Sequence, residues 1–264
     1  MTGPLPTAHH VPAMTLSGLS VSYAGDCALR DVTLDIPPGN ITALIGPSGC
    51  GKTSLLNALN RMTDLIPGCR VGGQAHLGSL DLLGDAIDLK ALRRRVGMVF
   101  QRPQPFPFSI ARNLDLPLRE HGIRAASERA DRAEQALRDV GLWAEVCDRL
   151  TGPALSLSGG QRQRLCIARA IALEPEILLM DEPCSALAPH ASAVVEDLII
   201  SWRNRYTVVM VTHNLAQARR VANQVAMFWV EAGSGVLIEH GPADAVFDAP
   251  RHPVTAAYVS GQHG

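Results

Sequence analysis

Gly46-Pro47-Ser48-Gly49-Cys50-Gly51-Lys52-Thr53-Ser54 combines spaced glycines with a lysine and neighbouring hydroxyls, the groups a polyphosphate requires. The glycines let successive backbone N–H groups turn toward one anion, and a helix starting near Lys52 adds its positive end. Lys52 then reaches the β and γ phosphates, and Thr53 offers a hydroxyl ligand for Mg2+. Further along, an apolar run over 177–180 leads into Asp181-Glu182. A carboxylate ending such a strand reaches Mg2+ directly or through water. The next carboxylate, Glu182, is placed to accept a proton from a water attacking the γ phosphorus, so it reads as the general base. Gln101 follows an apolar strand over 96–100 and His213 one over 207–211, which aims both at the carboxyl edge of a sheet. A second glycine segment, Leu157-Ser158-Gly159-Gly160-Gln161, offers a hydroxyl and free N–H groups at a helix start. That is another anion receptor, and a single nucleotide does not need two within one chain.

These groups need a scaffold of strands ending in loops. Residues 16–23 and 28–36 alternate apolar and polar around Ala24-Gly25-Asp26 and read as an antiparallel pair. Pro37-Pro38-Gly39-Asn40 is a turn, 41–45 a short apolar strand, and 52–61 a helix with Leu55, Leu56 and Leu59 on one side. Strand, glycine loop and helix in that order are the context a phosphate loop requires. Between Gln101 and Leu157 a proline-rich stretch (Pro103, Pro105, Pro107) leads into a helix over 127–140, with Ser127 as its cap and Gly141 as its stop. Glu128 with Arg132 and Glu134 with Arg138 stand four apart on its outer side, each pair a support of about 0.2–0.5 kcal/mol. This block reads as a helical insertion.

Alternation of helix and strand resumes over 161–172, 177–180, 191–202 and 207–211, which implies a parallel sheet covered by helices. A hairpin over 225–230 and 236–239, turning at Gly233-Ser234-Gly235, and a short helical cap close the chain. The fold class is therefore α/β: a mostly parallel core sheet, an N-terminal antiparallel β part and an inserted helical part over about 103–160. Residues 14–264 form one unit behind a disordered tail over 1–13, where the His9-His10 pair is incidental.

The balance of 24 Lys and Arg against 25 Asp and Glu gives a net charge of −1. No global field then attracts nucleic acid, which is not expected as a partner. No apolar run approaches the roughly 20 residues that span a bilayer. Six cysteines without Cys-x-x-Cys spacing read as reduced thiols, with Cys50 and Cys184 as small buried hydrophobes. Arg93-Arg94-Arg95 reads as a solvated basic face beside the nucleotide edge.

Taken together, the glycine loop, Ser158-Gly159-Gly160-Gln161 and Asp181-Glu182 resemble those of the ABC ATPases, P-loop NTPases, along nearly the whole chain. The resemblance implies ATP and Mg2+ as cofactors, with Thr53, Gln101 and Asp181 toward the metal. It also implies Gln101 as the loop glutamine that contacts metal or water and couples to a membrane partner, His213 as a γ-phosphate contact, and Tyr23 stacked on adenine. It resolves the doubled cradle by pairing two copies head to tail in an ATP-dependent dimer, each signature segment closing over the other's ATP.

A narrower set of segments is similar to the ATP-binding subunits of bacterial phosphate importers: residues 61–68, Val99-Phe100-Gln101-Arg102-Pro103, residues 165–170, Asp181-Glu182-Pro183-Cys184-Ser185-Ala186-Leu187 and Tyr258-Val259-Ser260-Gly261. That resemblance implies an ATPase powering phosphate uptake through membrane permease subunits, peripheral on the cytoplasmic face of the cell membrane, fed by a periplasmic or extracellular phosphate-binding protein. The ATPase of another ABC importer and a weakly hydrolysing regulatory ABC subunit are the alternatives. At one position the chain departs: the family has Asp after Ser185-Ala186-Leu187, linking the two nucleotide sites, and here Ala188 stands.

Overall fold

The structure, a computed structural model, describes residues 13–262, so the tail expected over 1–13 lies outside it except for Ala13. Strands β1 (Met14–Tyr23) and β2 (Asp26–Ile36) pair antiparallel, each longer than its apolar pattern. After β3 (Ile41–Ile45), helix α1 (Lys52–Leu59) stops short of the expected 61, and a 3-10 turn, Met62–Leu65, follows. Two strands without a clear sequence signal come next, β4 (Cys69–Leu77) and β5 (Leu80–Asp81), and β4 pairs with the outer side of β1. Helix α2 (Leu89–Arg95) precedes β6 (Val96–Val99), which ends one residue before the exposed Phe100.

The helical insertion contains α3 (Ile110–Glu120), α4 (Ala126–Asp139) and α5 (Trp143–Val146). Ser127 does not cap α4: the helix starts a residue earlier behind Ala125, whose extended backbone leaves no side-chain cap. Its other end is as expected, since the Gly141 amide bonds the Arg138 carbonyl and the Leu142 amide bonds that of Leu137. These two bonds form a Schellman pair that uses up orphan carbonyls. Glu128–Arg132 and Glu134–Arg138 both form ion pairs.

Helix α6 (Gly159–Ile171), β7 (Ile177–Asp181), α7 (Pro189–Ser201), β8 (Thr207–Val211) and α8 (Leu215–Val221) supply the parallel part. The hairpin β9 (Gln224–Glu231) and β10 (Ser234–Pro242) turns at Ala232-Gly233, not over 233–235. Both turn residues have positive φ, the signature of a two-residue type I′ turn. Helices α9 (Ala243–Asp248) and α10 (Pro253–Val259) follow.

Among the described residues all ten strands form one sheet in the order β5-β4-β1-β2-β10-β9-β3-β8-β7-β6. The parallel stretch β9-β3-β8-β7-β6 lies at one end and the antiparallel run β5-β4-β1-β2 at the other, where β2 joins β10 in parallel. Every residue of β3, β7 and β8 is buried, as expected for strands covered on both faces. Side chains alternate between the faces. Leu178, Met180, Val208 and Met210 enter the cluster shared with α6, α7 and the insertion, whereas Ile177, Leu179, Val209 and Val211 face Leu55, Leu56 and Leu59 of α1. Each of those leucines contributes about 1.5–3 kcal/mol by leaving water. Among the described residues no helix is long and apolar enough to cross a membrane.

Candidate functional site

The phosphate loop, residues 46–51, connects the end of β3 to α1. Gly46 has φ +137°, and a Cβ there would lie 2.1 Å from the Phe228 carbonyl oxygen, so no other residue fits where the loop leaves the strand. Pro47, Ser48 and Gly49 turn outward while the Cys50 side chain points into the core. Lys52 is only 6% exposed. Its ammonium donates at 2.7 Å to both the Gly46 and Pro47 carbonyls and lies 3.3 Å from Cys50 Sγ. The cation is thus held inside its own loop, a contact with no sequence signal. Burial pushes the Cys50 thiol pKa up, and Lys52 partly offsets that.

Thr53, exposed in the first turn of α1, places its Oγ1 3.1 Å from both carboxylate oxygens of Asp181 at the end of β7. Asp181 is 8% exposed. Burial raises its pKa, the Thr53 hydroxyl and Lys52 pull it down, and the Glu182 charge pushes it up. The next residue, Glu182, has φ +43°, an uncommon backbone that turns its side chain away from the strand direction. Its amide is fixed by the Val211 carbonyl at 3.0 Å. Gln101 Nε2 donates to Glu182 Oε2 at 2.8 Å, and His213 Nδ1 stands 3.1 Å from Glu182 Oε1. Gln101, Glu182 and His213 therefore meet on one carboxylate, because they leave the carboxyl ends of β6, β7 and β8, which are neighbours in the sheet.

The proline-rich stretch after Gln101 is pinned by Asn113 of α3, which is fully buried. Its amide accepts from the Phe106 N–H and donates to the Phe106 and Ser109 carbonyls. Arg169 and Arg112 lie over the rings of Phe106 and Phe108 at 4.3 and 4.2 Å. The arginine run after Leu92 is not the solvated face expected of it: Arg93 donates to the Asn60 and Arg61 carbonyls, and Arg95 pairs with Glu176.

Ser158 caps α6 in a reciprocal capping box with Gln161. Gln161 also donates to Glu145 of α5, which Arg164 meets from its other oxygen, so the signature segment is tied to the insertion. A separation of 16 residues in sequence gave no hint of that tie. Gly160 lies against α7, where a Cβ would come 2.9 Å from that of Ala191. The signature segment is not adjacent to Glu182 through any hydrogen bond among the described residues, and Ser158 is exposed. Tyr23 is half-buried at the end of β1, opposite Asp26 and Cys69. Ser54 is half-buried beside Thr53. All six cysteines are free thiols, and burial pushes Cys184 up to about 11.

The ABC transporter family model matches residues 29–185. Among curated relatives, phosphate import ATP-binding protein PstB 1 of Nitrosococcus oceani is 61% identical over 246 residues, covering 93% of this chain and 89% of that protein. Phosphate import ATP-binding protein PstB of Idiomarina loihiensis is 46% identical over 260 residues, with 97% and 94% covered. PstB 1 of Vibrio vulnificus is 47% identical over 252 residues, with 96% and 91% covered.

Proposed function

The chain belongs to the ABC transporter ATPase family, and from that premise we propose that it is the ATP-hydrolysing subunit of a phosphate import system. The observation that carries the hydrolytic reading is the shared carboxylate of Glu182, with Gln101 and His213 on its two oxygens and the Thr53–Asp181 pair on the preceding residue. The cargo follows from the relatives, each named for phosphate import.

In this reading the backbone N–H groups of residues 46 and 48–53 and the Lys52 ammonium cradle the triphosphate, Ser54 extends the cradle and Tyr23 stacks on adenine. The donors beside Thr53 suit Mg2+: hard oxygens, one buried carboxylate, and no cluster of three His, Cys, Asp or Glu among the described residues that would favour a dedicated metal cage. Thr53, Asp181 and the Gln101 amide oxygen would hold it, and when bound it neutralises charge on the phosphate oxygens. Glu182 orients the attacking water and accepts its proton, and His213 contacts the γ phosphate. In the resting chain both Glu182 oxygens are engaged, so one of the two partners must turn away before the carboxylate meets water.

Ser158, Gly159, Gly160 and Gln161 serve the ATP of a second copy, which makes the working unit a head-to-tail dimer. Permease subunits anchor that dimer at the cytoplasmic face of the membrane, and a phosphate-binding protein outside delivers the cargo. The test is ATP-driven uptake of labelled phosphate into vesicles holding this subunit, its permease and its binding protein, with Glu182→Gln as control. Phosphate should accumulate only with the native chain. Transport of a different anion in its place would overturn the cargo.

One observation favours a second reading, a weakly hydrolysing regulatory subunit: Ala188 stands at the cap position just before α7, where the family pattern has Asp. In that case the purified native chain and Glu182→Gln would hydrolyse ATP at equally low rates.

A further inference from the structure

His213 is fixed through its two neighbours rather than through its own ring. The imidazole is 59% exposed, and its one polar partner among the described residues is the Glu182 carboxylate at 3.1 Å. Where the ring points therefore depends on the backbone of residues 212–214, just past the end of β8. The Thr212 amide donates to the Leu44 carbonyl of β3 at 3.2 Å. The Thr212 hydroxyl accepts the Asn214 amide at 3.0 Å, which closes a tight turn around His213.

Gln217, in the first turn of α8, grips that turn on both sides. Its Oε1 accepts the Thr212 hydroxyl at 2.7 Å, and its backbone amide donates to Asn214 Oδ1 at 3.1 Å. Thr212 and Gln217 are 2% and 5% exposed, so water does not compete for the bond between them. The side-chain amide of Gln217 has one workable orientation. Its Nε2 donates at 3.1 Å to Glu196 of α7, whose other oxygen accepts Arg220. Turned over, the amide would set its oxygen against that carboxylate. The Glu196 charge thus fixes Gln217 Oε1 as the acceptor facing Thr212, which commits the Thr212 proton to Gln217 and leaves a lone pair for the Asn214 amide.

We propose that Gln217 is a positioning residue for His213: held by Glu196, it locks Thr212 and Asn214 on either side of the imidazole and so aims the ring at the γ phosphate. The proposal rests on the reading of His213 as the γ-phosphate contact. Gln217→Met keeps the side-chain length and removes the amide, and Thr212→Val removes the hydroxyl at nearly constant volume. In ATP hydrolysis by the full chain assembled with its permease, measured well below the melting temperature, each should lower kcat about tenfold. That is a modest part of the loss of about 10²-fold that a misplacement of about 1 Å can cause. KM for ATP should stay within about twofold, because the cradle is untouched. Thr212→Ser, which returns the hydroxyl, should recover most of the rate. His213→Ala should fall further, and adding Gln217→Met to it should lower kcat no more, since a residue that acts through an absent ring has nothing left to aim.

If His213→Ala hydrolyses ATP as the native chain does, the reading of His213 is wrong and the proposal falls with it. If His213→Ala is impaired while Gln217→Met is as fast as the native chain, or if the two losses multiply in the double variant, Gln217 does not act through His213 and only the proposal is overturned. Should Gln217→Met not fold, Thr212→Val with and without His213→Ala decides the matter in the same way.

Discussion

Glu182 and Asp181 are adjacent in sequence and opposite in circumstance. Glu182 shares its oxygens with Gln101 and His213 at the surface of the site, whereas Asp181 is buried with the Thr53 hydroxyl as its hydrogen-bond partner. Glu182→Gln should therefore lower single-turnover hydrolysis by about 10²–10⁴-fold, the usual worth of a general base, while equilibrium binding of ATP persists. Asp181→Asn should abolish Mg2+-dependent hydrolysis and yet raise the melting temperature of the nucleotide-free, metal-free protein. The sign follows from linkage. Burial lifts the Asp181 pKa above its ordinary 3.8, so its contribution to stability is present below that value and is lost as pH rises through the lifted one. The advantage of Asn over Asp should accordingly grow from acid to neutral pH in a series of thermal melts, and an equal melting temperature for both at pH 7 would contradict it. Gly46 to Ser54, Gln101, Ser158 to Gln161, Asp181, Glu182 and His213 could be picked out as candidates from the sequence because that signal resides in residue type and local spacing. The contacts that seat them could not. Lys52 on its own loop carbonyls and Gln161 on Glu145 depend on backbone shape and on elements distant in the chain.

At the scale of elements, α4 behind Ala125 and α7 behind Ala188 make a matched pair, each starting behind an alanine of extended backbone with no side-chain cap. Ala188 already has the extended backbone of a cap residue, and Pro189 at the first helical position suits it. Ala188→Asp should stabilise the chain by about 1 kcal/mol, or roughly 2–4 °C in Tm, and Ala125→Ser should give a similar gain without touching the nucleotide site. The two variants should part in the assembled transporter. There Ala188→Asp should change the ATPase rate or its dependence on the permease, and Ala125→Ser should not. The buried parallel strands were readable from their continuous apolar runs. By contrast, β4 was hidden because Gly72-Gly73 and the polar Arg70, Gln74 and His76 break its alternation, and α3 because Pro117 sits inside it. The hairpin turn was set one residue late because three nearby small residues compete for it. The chain puts Ala232, not a glycine, at the first positive-φ position.

Across the whole molecule, the helical block is fastened to the loops that enter the sheet by ion pairs between distant parts of the chain. Arg205, in the loop before β8, meets Asp139 at the end of α4, and Glu174, in the loop before β7, meets Arg132. With Arg205 and Glu174 half exposed or more, each pair is worth about 0.2–1 kcal/mol and weakens with salt. The double change Asp139→Asn and Arg132→Gln should leave global melting nearly unchanged while speeding amide hydrogen exchange across α4 severalfold. Unchanged exchange there would show that the apolar contacts of Leu137 and Val140 alone hold the block. The same long reach applies to the carboxylate of Glu182. Neighbouring strands lie about 4.8 Å apart, so the Gln101–Glu182–His213 bridge crosses two strand intervals, from β6 to β8. A hydrogen bond of 2.8 Å and a contact of 3.1 Å tolerate little stretch, so a small fanning of those three strand ends breaks one of them. The bridge is thus a gauge of sheet geometry: a pull on the Phe106 segment, which Asn113 holds, would register at the carboxylate as a broken Gln101–Glu182 hydrogen bond before any larger movement began.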